Sequence, residues 1–149
     1  LALVSPEGDV ALLRSRAGDY VRDTMLENAG VSAEPMAIES WPGARCSKDS
    51  CLLDVERQGR NWQILATRSA YELDYPDLVR TCAAADIVVS DRWLPDGCKP
   101  RWLKADREYL AHSGGLAIYL ASERIDSVNA KSRHMPWARS GFERRNVKN

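Results

Sequence analysis

The constraint that most limits the fold of this chain lies between Ala85 and Leu120. There a buried apolar strand, Ile87-Val-Val89, runs into the loop Ser90-Asp-Arg-Trp-Leu-Pro-Asp-Gly-Cys98, and a helix and a further apolar run, Leu116 to Leu120, follow. A short continuous apolar strand of this kind needs cover on both faces, which is the situation of a parallel strand in an α/β sheet. The strand runs out into Asp91, Arg92 and Trp93, with no histidine among them.

The remainder of the chain agrees with one α/β domain. Leu1–Val4 and Val10–Arg14 flank the turn-forming string Ser5-Pro-Glu-Gly-Asp9, so a hairpin is expected. A helix follows from Gly18-Asp19, with Asp19 at its cap, Val21, Met25 and Ala29 on a buried face, and Gly30 as the left-handed stop. Met36–Trp41 reads as a strand. A hairpin of Leu52–Arg57 and Trp62–Thr67 follows, its first arm alternating Leu53 and Val55 with Asp54 and Glu56. Asp74 and Pro76 open a second helix with Leu78, Val79 and Cys82 inward. A third helix is expected over Ala105–Ala111, and the last strands over Leu116–Leu120 and Arg124–Val128. From Trp62 onward the order strand, helix, strand, helix, strand implies parallel neighbours in a mixed sheet with flanking helices.

A chain of 149 residues, 44% hydrophobic and 28% charged, suits a single domain, expected over residues 1–128, with a flexible basic tail over 129–149. No apolar run reaches the roughly 18–20 residues that cross a bilayer. The start on Leu1 suggests a piece of a longer polypeptide, whose other segments include a membrane part in the reading developed below. Charge is uneven although it sums to zero: residues 1–90 hold 9 basic and 14 acidic side chains, residues 91–149 hold 12 and 7. Overall charge makes no case for nucleic acid, but the C-terminal half offers a local positive field.

Four cysteines, Cys46, Cys51, Cys82 and Cys98, allow two disulfides in three pairings, and the local pairing of Cys46 with Cys51 and Cys82 with Cys98 is favoured. Disulfides imply an oxidising compartment. Zinc and free thiols remain the alternatives, although only the first pair has knuckle-like spacing. The two histidines, His112 and His134, stand far apart and form no cluster for a hydrolytic metal centre. No Gly-x-Ser-x-Gly or phosphate-loop string occurs.

Two candidate sites emerge. In the first, the basic residues Arg92, Lys99, Arg101, Lys104 and Arg107 interleave with Trp93 and Trp102, a composition that suits DNA: cations follow phosphates and indoles stack on bases. The competing reading makes the tryptophans loop anchors and the arginines ordinary ion pairs. In the second, Asp86, Asp91 and Asp106 gather near the end of the central strand and hold a divalent ion for phosphodiester cleavage; here the competing reading makes Asp86 and Asp106 caps and Asp91 the partner of Arg92.

Several strings together resemble the C-terminal soluble domain of the ComEC family of competence proteins in its alphaproteobacterial form. They are Ala11-Leu-Leu-Arg14 with Gly18-Asp-Tyr-Val-Arg-Asp23, Trp41-Pro-Gly-Ala-Arg-Cys46 with Cys51, Ala85 to Pro95, Cys98, Pro100 to Arg107, and Gly114-Gly-Leu-Ala-Ile118. The resemblance implies a reduced metallo-β-lactamase-like domain on the periplasmic face of an inner-membrane channel for transforming DNA. Its partners would be single- or double-stranded DNA and the channel portion of the same polypeptide, with no small-molecule substrate. The family's catalytic His-x-His-x-Asp-His and His-His-Gly-Ser strings are absent here. Ile64-Leu-Ala-Thr67 resembles the family's Leu-Leu-Thr-Gly-Asp strand without its aspartate. A non-catalytic, cofactor-free relative is the expectation, and a carboxylate-based nuclease the alternative.

Overall fold

The computed structural model describes residues 1–14, 18–32, 34–69 and 74–132. The expected first hairpin forms: β1 (Ala2–Val4) pairs antiparallel with β2 (Val10–Leu12). The turn closes through Ser5 N–H to Asp9 O at 2.8 Å, and Gly8, at φ 96°, takes the left-handed position. Helix α1 (Asp19–Ala29) stops at Gly30 in the αL conformation, with the Gly30 and Val31 amides returning to the Glu27 and Leu26 carbonyls. Two expectations for this helix fail. Gly18 occupies the N-cap, leaving Asp19 one residue inside the helix and paired with Arg22. No α1 residue is fully buried, and Val21 is exposed, while Met25 and Ala29 are half-buried. The strand expected over Met36–Trp41 shortens to β3 (Met36–Ala37), parallel to β2; the chain then coils into a 3₁₀ turn, Ile38–Ser40, that buries Ile38 completely.

The second sheet is mixed and five-stranded, in the order β4 (Ala44–Cys46), β5 (Ser50–Arg57), β6 (Arg60–Thr67), β7 (Ile87–Val89), β8 (Leu103–Ala105). Strands β4 to β6 are antiparallel, whereas β6, β7 and β8 run parallel. Gln58 and Gly59 both have positive φ, 52° and 76°, the mirror-image turn whose twist matches a tight hairpin. Period-two alternation then separates two cores. Cys51, Leu53 and Val55 of β5 join Trp62, Ile64 and Ala66 of β6 and Ile87 of β7 against the first sheet. Leu65 and Val88 face the other way, beneath Leu78 and Cys82 of α2 (Tyr75–Ala84), with Leu94 and Cys98. The sheet is therefore covered on both faces along β6 and β7, as the apolar text of Ile87–Val89 requires.

The C-terminal part of the expected order is corrected. Residues 103–105 form the parallel neighbour of β7 and not the start of a helix, and they arrive through the loop 90–102 without a crossover helix. Helix α3 is shorter than expected, Arg107–Ser113. Among the described residues the last strands, β9 (Leu116–Tyr119) and β10 (Arg124–Ser127), pair only with each other, as a separate antiparallel hairpin whose Leu116, Ile118 and Ile125 pack onto the larger core. The boundary placed after residue 128 falls in a short helix, α4 (Val128–Ser132); the rest of the basic stretch, 133–149, lies outside the described residues.

Both local disulfides form. Cys46 and Cys51 stand opposite each other in the β4–β5 register, and Cys82–Cys98 ties α2 to the loop after β7. Such bonds persist in oxidising compartments. Among the described residues no helix is long and apolar enough to cross a membrane.

Candidate nucleic-acid interface

Parallel strands bring their carboxyl ends to one edge, the place where open α/β sheets usually hold ligands. Here that edge collects Thr67 at the end of β6, Ser90 after β7 and Asp106 after β8. Thr67 Oγ1 donates to Ser90 Oγ at 2.9 Å in a fully buried contact, and Ser90 Oγ accepts the Arg92 N–H at 3.1 Å. Ser90 Oγ thus accepts both bonds and fixes the chain as it leaves β7. Asp106, also buried, caps α3: its Oδ1 accepts the Tyr109 N–H at 3.1 Å, and its Oδ2 accepts the Leu94 N–H at 3.3 Å.

Outside this floor lies a rim of arginines. Arg14, just past β2, reaches across to Asp91 in an ion pair whose members are both about half exposed, and also approaches the Arg68 carbonyl at 3.5 Å. Arg68 pairs with Glu39 and donates to Ser47 O at 3.1 Å. Glu39's own backbone N–H holds its carboxyl below the ordinary range, with Arg68 assisting and burial opposing. Asp91 thus has a partner from the first sheet, Arg14, 77 positions away in the sequence.

The seven residues expected at a DNA interface divide by role. Trp102 packs against Trp62, ring centroids 5.0 Å apart, as part of the larger core, so its indole is an anchor. Lys104 sits on β8 and its Nζ donates to Leu94 O at 3.0 Å and Pro95 O at 3.2 Å, beside Asp106 at 3.4 Å; it clamps the loop. Arg101 lies at the far end of the strands, bonded to Ala84 O and 3.6 Å from Asp86. Arg92 is half-buried, and its carbonyl accepts the Arg107 N–H at 3.1 Å. Trp93 is 66% exposed, with the Arg107 guanidinium 4.4 Å above its ring, and Lys99 is exposed in the same loop. Trp93, Arg107 and Lys99 therefore keep the composition of a strand-binding face with half-buried Arg92 beside them, while Trp102, Lys104 and Arg101 serve the fold.

The three carboxylates do not gather. The β7–β8 register sets Ile87 beside Leu103 and Val89 beside Ala105, so Asp86 precedes the strand and lies at the edge opposite Asp91 and Asp106. Three intervening residues of strand amount to roughly 10 Å. Asp86 is buried, where it accepts the Gln63 N–H at 2.9 Å and faces Arg60 and Arg101. Asp106 is occupied as a cap. No group of three or more His, Cys, Asp or Glu side chains that could hold a metal occurs among the described residues. His112 is exposed on α3, with Nδ1 2.8 Å from Glu108 O, near the helix terminus as its position suggests; His134 lies outside the described residues.

Arg14, Glu39 and Ser90 were not legible as members of this edge. Arg14 and Asp91 are 77 positions apart, and only the pairing of the two sheets makes them neighbours. The comparisons with known proteins add no relative: the chain matches no family model, no curated protein and no solved structure.

Proposed function

We propose that this chain is a non-catalytic, extracytoplasmic domain of a ComEC-type DNA-uptake channel, a reduced metallo-β-lactamase-like scaffold that guides a DNA strand along its carboxyl edge or docks on the channel. One observation carries the reading. At the edge where the family's catalytic members hold metal ligands, this chain has the closed Thr67–Ser90 pair and the Arg14–Asp91 pair, with the exposed Trp93–Arg107 stack on the rim. The two disulfides suit a location outside the cytoplasm. An indole backed by a guanidinium stacks on any base, while Lys99 and Arg107 offer charge to the phosphates without reading sequence.

The test is binding of a labelled oligothymidylate by fluorescence anisotropy at low and physiological salt, alongside incubation with magnesium, manganese or zinc. Stacking contributes about 1–3 kcal/mol per base, so Trp93→Ala is expected to weaken binding roughly 5- to 150-fold. Contact of Arg92, Lys99 and Arg107 with three phosphates would give a log–log salt slope of about −2 for a single strand. No binding at low salt removes the guidance role. Steady, metal-dependent cleavage abolished by Asp91→Asn would replace it with the nuclease reading.

A further inference from the structure

A second surface lies toward the other end of β5, away from Ser50, which stands opposite Thr67. Between the β1–β2 turn and β5 there is a cleft of about 510 Å³, lined by residues of the turn Ser5–Asp9, by Met36, by Ser40 to Pro42 and by Asp54 to Arg57. That volume lies within the range of ligand-binding sites. Its walls combine the apolar Met36, Trp41 and Pro42 with four carboxylates, Glu7, Asp9, Asp54 and Glu56. The one basic side chain among the described lining residues, Arg57, has its guanidinium turned to two carbonyls, Glu56 O at 2.7 Å and Val4 O at 2.9 Å.

The backbone supplies an independent observation. β6 pairs with β5 along all eight of its residues, but β4 pairs only with Cys51 to Leu53. Among the described residues the last bond on that side is Asp54 N–H to Gly43 O at 3.2 Å, and the chain leading into β4 turns at Gly43, φ 82°. Antiparallel alternation directs the main-chain groups of Asp54 and of Glu56 to this outer side. Beyond Asp54, therefore, the outer edge of β5 opens into the cleft with no described strand along it. An open strand edge is a template for one more strand. Asp54 adds a specific demand: Arg45 holds its Oδ2 at 2.9 Å, while Oδ1 is buried with no hydrogen-bond partner among the described residues. A buried carboxylate oxygen without a donor is costly, and an incoming ammonium or guanidinium removes that cost.

We propose that this cleft receives an extended, cationic segment of another polypeptide, which adds a short strand to the outer edge of β5. Its main chain meets the Glu56 N–H, its basic side chains meet Asp54, Glu56 and Glu7, and its apolar side chains rest on Met36 and Trp41. A negative cleft with an apolar wall and a free edge fits this ligand better than a nucleic acid, whose phosphates the four carboxylates repel.

The test uses the whole chain and a labelled seven-residue peptide alternating lysine and leucine. Saturable binding is expected, weakened roughly tenfold by Asp54→Asn with Glu56→Gln, one lost charge-assisted contact being enough for that factor. Glu7→Gln, in the exposed turn, gives a smaller loss without touching the sheet, and far-UV circular dichroism confirms that each variant is folded. The same peptide methylated on alternate backbone nitrogens must lose binding, and a glutamate–leucine peptide must not bind. Equal affinity for the methylated peptide overturns strand addition, and absence of binding at millimolar peptide overturns the cleft as a docking site.

Discussion

Removing the Cys82–Cys98 bridge with the pair Cys82→Ala and Cys98→Ala perturbs the element that presents Trp93 and Lys99. The bond spans 16 positions and joins α2 to the loop between β7 and β8, with both residues almost fully buried. Closing a loop of that length restricts the unfolded chain by about 3 kcal/mol in the chain-entropy treatment. Losing two buried sulfur atoms adds about 1 kcal/mol. The Cys46–Cys51 bridge, spanning 5 positions between residues already paired in the sheet, gives about 2 kcal/mol by the same expression. Urea denaturation followed by tryptophan fluorescence measures both. With a slope of about 2 kcal/mol per molar, the midpoint should fall by about 2 M for the first pair and about 1 M for the second. A smaller loss for Cys82/Cys98 than for Cys46/Cys51 would refute the view that the long bridge is the principal constraint on the loop. Amide exchange over 93–100 should rise in the first variant alone.

Three further outcomes follow from contacts described above. Lys104→Ala leaves the Leu94 and Pro95 carbonyls and buried Asp106 short of a donor and should cost about 1–3 kcal/mol. Exposed Lys99→Ala should stay within about 0.5 kcal/mol; equal costs in urea titrations would contradict the division between clamp and surface. Gly43→Ala meets both a positive φ of 82° and a backbone oxygen, Asp54 O, 2.9 Å from the new Cβ, so a loss of about 1–3 kcal/mol is expected in thermal or urea unfolding. The Glu39 carboxyl is held below its ordinary 4.5 in the folded chain, so its stabilisation is present above that value and disappears as pH falls through the folded pKa. The stability gap between the native chain and Glu39→Gln should accordingly close as pH falls below the ordinary 4.5 and through the folded pKa, and a gap that widens on acidification would reverse the assignment.

Sequence reading succeeded where a pattern is local. The alternation in Leu52–Arg57, the αL stop at Gly30, the apolar Ile87–Val89 and both cysteine pairs all depend on neighbours in the chain. It failed where the partner is distant or the element very short. β8 has three residues with Lys104 in the middle, and that lysine resembles solvent-facing text because its acceptors, the Leu94 and Pro95 carbonyls, belong to a loop that only the fold brings over it. Leu116–Leu120 has the composition of a sheet strand, but its pairing with Arg124–Ser127 is complete in itself, so it never joins β8. At the site, Trp93 and Trp102 are indistinguishable as letters; contact with Trp62 makes one a core residue and leaves the other on the rim. Likewise Asp86 is only five positions from Asp91, yet a three-residue strand carries it to the opposite edge.

The most direct test is a nuclear magnetic resonance titration of the isotope-labelled chain with oligothymidylate, following the indole N–H and the arginine and lysine side-chain signals. Guidance of a strand along the carboxyl edge predicts salt-sensitive shifts at the Trp93 indole and at Arg92, Lys99 and Arg107, with the buried Trp62 and half-buried Trp102 indoles unmoved and the oligonucleotide intact in the presence of divalent metal. Shifts confined to other surfaces, or steady shortening of the oligonucleotide, would contradict it.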